Sequence, residues 1–199
     1  VISRDQAVVL KIGGSLIEHA PMIVRTIRES GRDILVIPGG GIFADIVRQK
    51  EISDTAAHFM AIAAMDQYGW LLSTYGLPVT WTPHMSGSPA ILLPYHHMMD
   101  ADPLPHSWDI TSDTISAFYA ALLSVPLVIL KSLDHIRTSD GPVTELMPGM
   151  VTGDLDPAFI PYVTKKQVRG FILRGSDHAR IAEFLNGEEV PGTYFGGTI

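Results

Sequence analysis

The sequence predicts an α/β fold built on parallel strands, and three observations carry that prediction. Short apolar runs, each long enough for one buried strand, alternate with segments of helical periodicity. The first two runs are joined through such a segment, and a strand–helix–strand unit crosses over right-handed and lays its strands parallel. Each of these two runs ends in a glycine-rich loop. Both loops therefore fall at the carboxyl edge of the sheet, where open α/β folds bind ligands.

The first run, Ala7-Val8-Val9-Leu10, closes on Lys11-Ile12-Gly13-Gly14-Ser15. Glycines let backbone N–H groups approach an anion, and Lys11 adds a compact positive charge, so the stretch suits a phosphate. Its spacing is neither GxxxxGK[ST] nor GxGxxG. Residues 17–30 have helical spacing at Ile23 and Ile27 and stop at Gly31. The second run, Ile34-Leu35-Val36-Ile37, enters Pro38-Gly39-Gly40-Gly41. Two phosphate-friendly loops side by side point to a donor phosphate facing an acceptor. A helix over 42–50 follows, with Asp45 placed in its first turn, where a carboxylate suits the positive helix end. A longer helix over 54–75 has Ser53 as cap and Gly76 as stop. It is apolar on nearly every side, which marks it as buried or packed at a subunit contact. His58 and Met65 share one stripe of it.

Residues 77–81 and 90–93 predict two more strands. The stretch 94–108 carries His96, His97, Asp100, Asp102 and His106 among prolines. That spacing matches neither a structural zinc site nor HExxH, so no metal site is expected and the stretch reads as a loop over the substrate. Asp109-Ile110-Thr111-Ser112-Asp113 opens a helix with Ile115, Phe118, Tyr119 and Leu122 on one face. Thr111 or Ser112 caps it, and Asp113 lies in its first turn. Residues 126–130 form the next buried strand, with Lys131, Ser132, Leu133 and Asp134 at its carboxyl end. Asp140-Gly141 and Pro148-Gly149 frame a hairpin. A strand and turn over 170–175, a helix over 177–185 and a terminal strand over 192–199 complete the chain.

Composition narrows the function. A length of 199 residues suits one domain. The apolar share of 46% and charged share of 18% are ordinary for a soluble globular protein. A net charge of −7 argues against nucleic acid or an anionic membrane as partner. The absence of cysteine removes disulfides, thiolate zinc sites and a cysteine nucleophile. No secretory signal is read at the start, and a cytoplasmic location is expected. The most apolar stretch, 56–72, contains His58, Asp66 and Gln67, so no membrane span is expected.

The ordered motifs resemble those of the amino acid kinase family: a strand with KxGGS, a PGGG loop, D-x-[TS]-x-D opening a helix, and a later strand ending near an aspartate. The resemblance implies a three-layer α/β/α sandwich on an open, mainly parallel sheet, and transfer of the ATP γ-phosphoryl group with Mg²⁺. It implies that Lys11 contacts the transferred group and Asp113 orients the catalytic lysine. Gly13, Gly14 and Ser15 would hold the ATP phosphates, with Lys131, Ser132 and Asp134 bordering the nucleotide. Gly39, Gly40 and Gly41 would hold the acceptor.

Three strings, residues 39–45, 57–62 and 108–113, resemble one subgroup, the [5-(aminomethyl)furan-3-yl]methyl phosphate kinases of methanofuran biosynthesis. That resemblance implies a small-molecule phosphate substrate carrying an amine, with Asp45 or Asp109 meeting the amine and His58 near the furan, in a homo-oligomer. One departure stands out. Many family members carry a second catalytic lysine soon after a Thr-Gly pair, but Thr152-Gly153 is followed here by Asp154-Leu155-Asp156-Pro157. Lys131, Lys165 and Lys166 remain as alternatives, as does the lack of any second lysine. A phosphate acceptor is already anionic and needs no strong base, which agrees with the absence of a nucleophile elbow.

Overall fold

The computed structural model describes residues 2–197. In chain order the strands are β1 (Val8–Ile12), β2 (Ile34–Pro38), β3 (Val79–Thr80), β4 (Ala90–Leu92), β5 (Leu127–Lys131), β6 (Ile136–Thr138), β7 (Gly141–Val143), β8 (Glu145–Leu146), β9 (Gly170–Arg174) and β10 (Thr193–Phe195). The helices are α1 (Ala20–Ser30), α2 (Gly41–Arg48), α3 (Asp54–Ser73), α4 (Tyr95–Ala101), α5 (Ser112–Leu123), α6 (Phe159–Lys166) and α7 (His178–Leu185), and a 3-10 helix covers Gly14–His19. Among the described residues, no helix is long and apolar enough to cross a membrane.

Eight strands form one sheet in the order β3-β4-β2-β1-β5-β9-β10-β8, with β6 and β7 as a separate hairpin. Every pairing in the large sheet is parallel except β9 with β10. The central strands are apolar on both faces because both are covered. Val8, Leu10, Ile34, Val36, Val128, Leu130, Phe171 and Leu173 pack into one core with α1 and α7. Val9, Leu35, Ile37, Leu127, Ile129 and Ile172 pack into a second core with α5 and α6. The period-2 alternation of a strand thus divides each run between two cores, which gives the three layers. Lys11 interrupts the second set.

The helix ends follow local chemistry. Gly31 ends α1 in the left-handed conformation (φ 65°). Ser53 caps α3 by accepting the Ala56 N–H. Asp177 does the same for α7, accepting from Arg180 N–H at 3.1 Å.

Several expectations change. The stretch read as a loop contains α4, which follows Pro94 as its N-cap and buries Met98; its Tyr95 N–H is received by the Asp66 carboxylate of α3 at 3.0 Å. Helix α6 has no counterpart in the sequence reading. Asp45 lies past the first turn of α2, because that helix begins at Gly41. Leu122 is 50% exposed, since α5 buries Asp113, Thr114, Ser116 and Ala117 beside Ile115 and Tyr119. The terminal strand ends at Phe195, and residues 198 and 199 of the expected span lie outside the described residues.

Burial pushes the Asp66 carboxyl up to about 6, against the pull of the Tyr95 N–H. A carboxyl raised on folding loses stability as pH rises from its ordinary range through that value. Asp66→Asn keeps the acceptor oxygen and is expected to raise Tm at pH 8 while leaving it nearly unchanged at pH 3.5. Equal melting temperatures of the two proteins at pH 8 would show that Asp66 ionises without penalty.

Candidate active site

Sheet register brings two lysines together. Lys11 lies opposite Ile129 across the β1–β5 ladder, so Lys131 stands two residues further toward the carboxyl edge on the same face. That face is covered by α5, which carries Asp113 in its first turn. Lys11 Nζ donates to Asp113 Oδ1 at 2.7 Å, and Lys131 Nζ donates to Oδ2 at 2.9 Å. Lys131 also donates to the main-chain oxygen of Asp154.

Lys11 and Asp113 are each only 4% exposed. Burial by itself would raise the Asp113 carboxyl, but the two ammonium groups overcome it and hold it at about 2. Burial lowers the Lys11 pKa; Asp113 opposes that fall and Lys131 adds to it. Two ammonium groups on one carboxylate leave a net positive charge in a nearly dry position. Because Asp113 titrates below its ordinary range, the stability it contributes is complete above about pH 4 and is lost as pH falls toward 2.

The orientation of α5 comes from a residue the sequence reading did not single out. Neither Thr111 nor Ser112 supplies a side-chain cap. Asp156 does so from 45 residues away, accepting from Thr111 N–H (2.9 Å), Thr111 Oγ1 (3.0 Å), Thr114 N–H (3.0 Å) and Thr114 Oγ1 (2.5 Å). Burial first, then the nearby Asp113 charge, raise the Asp156 carboxyl against these donors. The stretch 152–156 thus places Asp154 against Lys131 and Asp156 under α5. The available signal was the pair of aspartates standing where a lysine was sought.

The two glycine loops touch. A Cβ on Gly14 would fall 2.3 Å from Gly41 Cα and 2.4 Å from Gly41 N, so no side chain fits there. Gly41 itself has φ +54°. Gly13 and Gly39 differ from the expectation that their amides face phosphate: Gly13 N–H donates to Leu130 O and Gly39 N–H to Ile12 O. Both serve the close approach of the loops. The N–H groups of Gly14 and Ser15 begin the 3-10 helix, and those of Gly40 and Gly41 begin α2, so they have no partner within those helices.

A cleft of about 610 Å³ opens over this point, lined by Lys11, Gly13, Gly14, Ser15, Gly40, Gly41, Asp113, Lys131 and Ser132. Its far wall comes from α3, with Asp54, Ala57, His58, Ala61, Ile62 and Met65, and from Ser107 and Trp108. Arg48 lies over the Trp108 ring, 5.3 Å from its centroid. Burial lowers the His58 pKa, His106 adds to this, and Asp102 opposes it.

Some expected residues stand elsewhere. Asp134 is outside the lining because Arg174 and Arg180 hold it at 2.8 and 2.7 Å. Asp109 is exposed and also outside, with its carbonyl accepting the Ala158 N–H. Gly39 does not line the cleft. Asp45 does, but is paired with Arg48 at 2.8 Å. Lys165 and Lys166 are exposed on α6, away from Asp113 and the cleft lining.

Comparison with known proteins agrees with this geometry. The chain is 28% identical to [5-(aminomethyl)furan-3-yl]methyl phosphate kinase of Methanocaldococcus jannaschii, in a match covering 90% of this chain and 93% of that protein. Its fold is similar to that of uridylate kinase from Archaeoglobus fulgidus, with a TM-score of 0.71, 17% identity and coverage of 95% of this chain and 99% of that one. It is similar also to isopentenyl phosphate kinase, with a TM-score of 0.65, 16% identity and coverage of 94% and 99%. Residues 6–156, which include both glycine loops, Lys11, Asp113, Lys131 and Asp156, match the amino acid kinase family, and the chain belongs to that family.

Proposed function

We propose that this chain is an ATP-dependent kinase that converts a phosphate monoester into a diphosphate, with [5-(aminomethyl)furan-3-yl]methyl phosphate as acceptor. The observation that carries the reading is the buried Lys11–Asp113–Lys131 cluster beside two touching glycine loops. An acceptor phosphate oxygen forms a bond to the γ-phosphorus while the bond to the β–γ bridging oxygen breaks and ADP leaves. Little covalent work falls to the protein, so alignment and charge stabilisation dominate. Lys11 and Lys131 supply positive charge between the two anions, and Asp113 fixes where both ammonium groups point. The free amides at the starts of the 3-10 helix and α2 receive phosphate oxygens.

Mg²⁺ is expected to neutralise charge on the nucleotide phosphates. Among the described residues, the side chains beside the lysines do not build a resident site for it. Near the lysines, the Asp113 carboxylate is taken by both ammonium groups and that of Asp154 by Arg137. The ion therefore belongs with the nucleotide, as MgATP, held by phosphate oxygens and water.

The far wall suits a small ring with a cationic end. Ala57, Ala61, Ile62 and Met65 give it an apolar floor, and Asp54 lines it without an ion-pair partner among the described residues. Asp54, and Asp45 if its pair with Arg48 opens, are the lining carboxylates assigned to the amine. A charge-assisted hydrogen bond in a partly desolvated cleft is worth about 1.5–3 kcal/mol, or roughly 10- to 100-fold. Phosphorylation of the aminomethyl substrate is therefore expected to exceed that of its amine-free analogue by this factor in kcat/KM, and Asp54→Asn should remove most of the difference. A panel with labelled ATP that includes isopentenyl phosphate and UMP tests it. Equal kcat/KM for the two furans would overturn the acceptor and favour one of the other phosphates.

A homo-oligomer completes the reading. Trp70 on α3 and Trp81 after β3 are 51% and 54% exposed and pack edge to face at 6.2 Å. Two neighbouring exposed indoles suit contact with a second copy, and light scattering that shows a monomer would remove that assignment.

A further inference from the structure

We propose that His58, Asp102 and His106 form a binding site for a borderline divalent cation of the Zn²⁺ class at the rim of the cleft. One ring nitrogen of each histidine and one carboxylate oxygen of Asp102 lie within 4.8 Å of one another. The residues come from separate places: His58 from the second turn of α3, Asp102 from the C-cap of α4, and His106 from the segment beyond. The imidazoles of His58 and His106 stack at 4.4 Å.

Two features point to a ligand beyond a hydrogen-bond cluster. His58 is 7% exposed, and its buried Nε2 has no hydrogen-bond partner among the described residues. An unpaired buried ring nitrogen is unfavourable unless something fills its place. The second feature is the surroundings of His106. Its Nε2 is 2.8 Å from Asp102 Oδ1 and its Nδ1 is 3.0 Å from Thr55 Oγ1. With an ion on Nε2 the ring proton moves to Nδ1 and is donated to Thr55 Oγ1; without one, Nε2–H donates to Asp102 and the Thr55 hydroxyl donates to Nδ1. The first is the outer-shell arrangement that fixes the tautomer of a metal-bound histidine. Thr55 and His58 are three residues apart on α3 and therefore face the same side.

Two imidazoles and one carboxylate match Zn²⁺ or a neighbouring transition ion, with a fourth position left for water. Mg²⁺, which takes oxygen ligands, is a poor match. The His106 and Asp102 side chains are 20% and 51% exposed, which leaves a way in. A bound ion would tie the segment before Ser107 and Trp108 to α3 and so hold one wall of the cleft. The site is independent of the acceptor assignment.

The test uses chelator-stripped protein titrated with Zn²⁺ and Co²⁺ in excess Mg²⁺, without nucleotide. One equivalent is expected to bind, Co²⁺ is expected to give the visible bands of a four-coordinate site, and Zn²⁺ is expected to raise Tm. Thr55→Val should weaken binding by about 10- to 100-fold, and His106→Ala or Asp102→Asn by more. Failure of the unmodified protein to take up one equivalent would overturn the proposal. So would unchanged affinity in Asp102→Asn, the near-isosteric variant that guards against misfolding in His106→Ala. Either result would leave the cluster as a clamp of hydrogen bonds.

Discussion

Lys11→Met is expected to lower kcat by about 10²–10³-fold, the scale seen when one preorganised donor to a developing charge is removed. In the proposed mechanism the group lost stabilises the transferring phosphoryl group more than either bound substrate, so kcat should fall further than binding weakens. The fold should survive. Methionine fills a position on a central strand whose neighbours on that face are Val9, Ile37 and Ile129, and Asp113 keeps Lys131 as its partner. Single-turnover rates with saturating ATP and acceptor, beside a thermal melt, measure both effects. A variant that melts normally and retains its kcat would remove Lys11 from the chemistry.

Asp113→Asn is expected to damage both activity and stability. From the sequence alone this residue reads as a helix-end carboxylate whose removal changes stability little. Its buried position between two ammonium groups changes that expectation. Breaking a buried ion pair from one side is destabilising by about 3–5 kcal/mol, and here the variant also leaves two cations facing each other. The rate should fall at least about 100-fold as both donors lose their direction. The pH profile separates misdirection from mere unfolding. Lys11 is already depressed by burial and by Lys131, and without Asp113 only the weaker pull of the Asp156 charge opposes them. Loss of charge on Lys11 should therefore come at lower pH, moving the alkaline limb of kcat toward neutrality in the folded variant. An alkaline limb that stays in place would show that Asp113 does not set the protonation of Lys11.

The parts of the fold legible in the sequence were those written in local pattern. The runs at 8–12, 34–38, 127–131 and 170–174 are apolar on both faces, and glycines mark the loops that follow the first two. Lys11 could be singled out because it ends a strand beside a glycine turn, whereas Asp113 reads locally as a first-turn carboxylate and is tied to the lysine only through the family resemblance. What could not be read depends on register and long-range pairing. That Lys131 shares a carboxylate with Lys11 follows from Lys11 sitting opposite Ile129, which no local spacing reveals. The cap of α5 comes from Asp156, and helix-start rules look only a few residues away. His58 meets His106 only because α4 turns the chain back over α3. Asp134 looked free in sequence because its partners, Arg174 and Arg180, arrive forty residues and more later.

The strand order also dictates how the protein must assemble. Residues 8–92 contain β1 to β4, which make half of the sheet with β1 at its border. The strands of the large sheet that follow residue 126 are all added outward from that border, beginning with β5. A chain still emerging from the ribosome therefore passes through a stage in which β1, a central strand of the finished sheet, has one side unpaired, an open template for other chains. Both glycine loops exist at that stage, yet Lys131 has not been made. Closing the β1–β5 ladder therefore both covers the open side of β1 and brings Lys131 to the carboxylate it shares with Lys11.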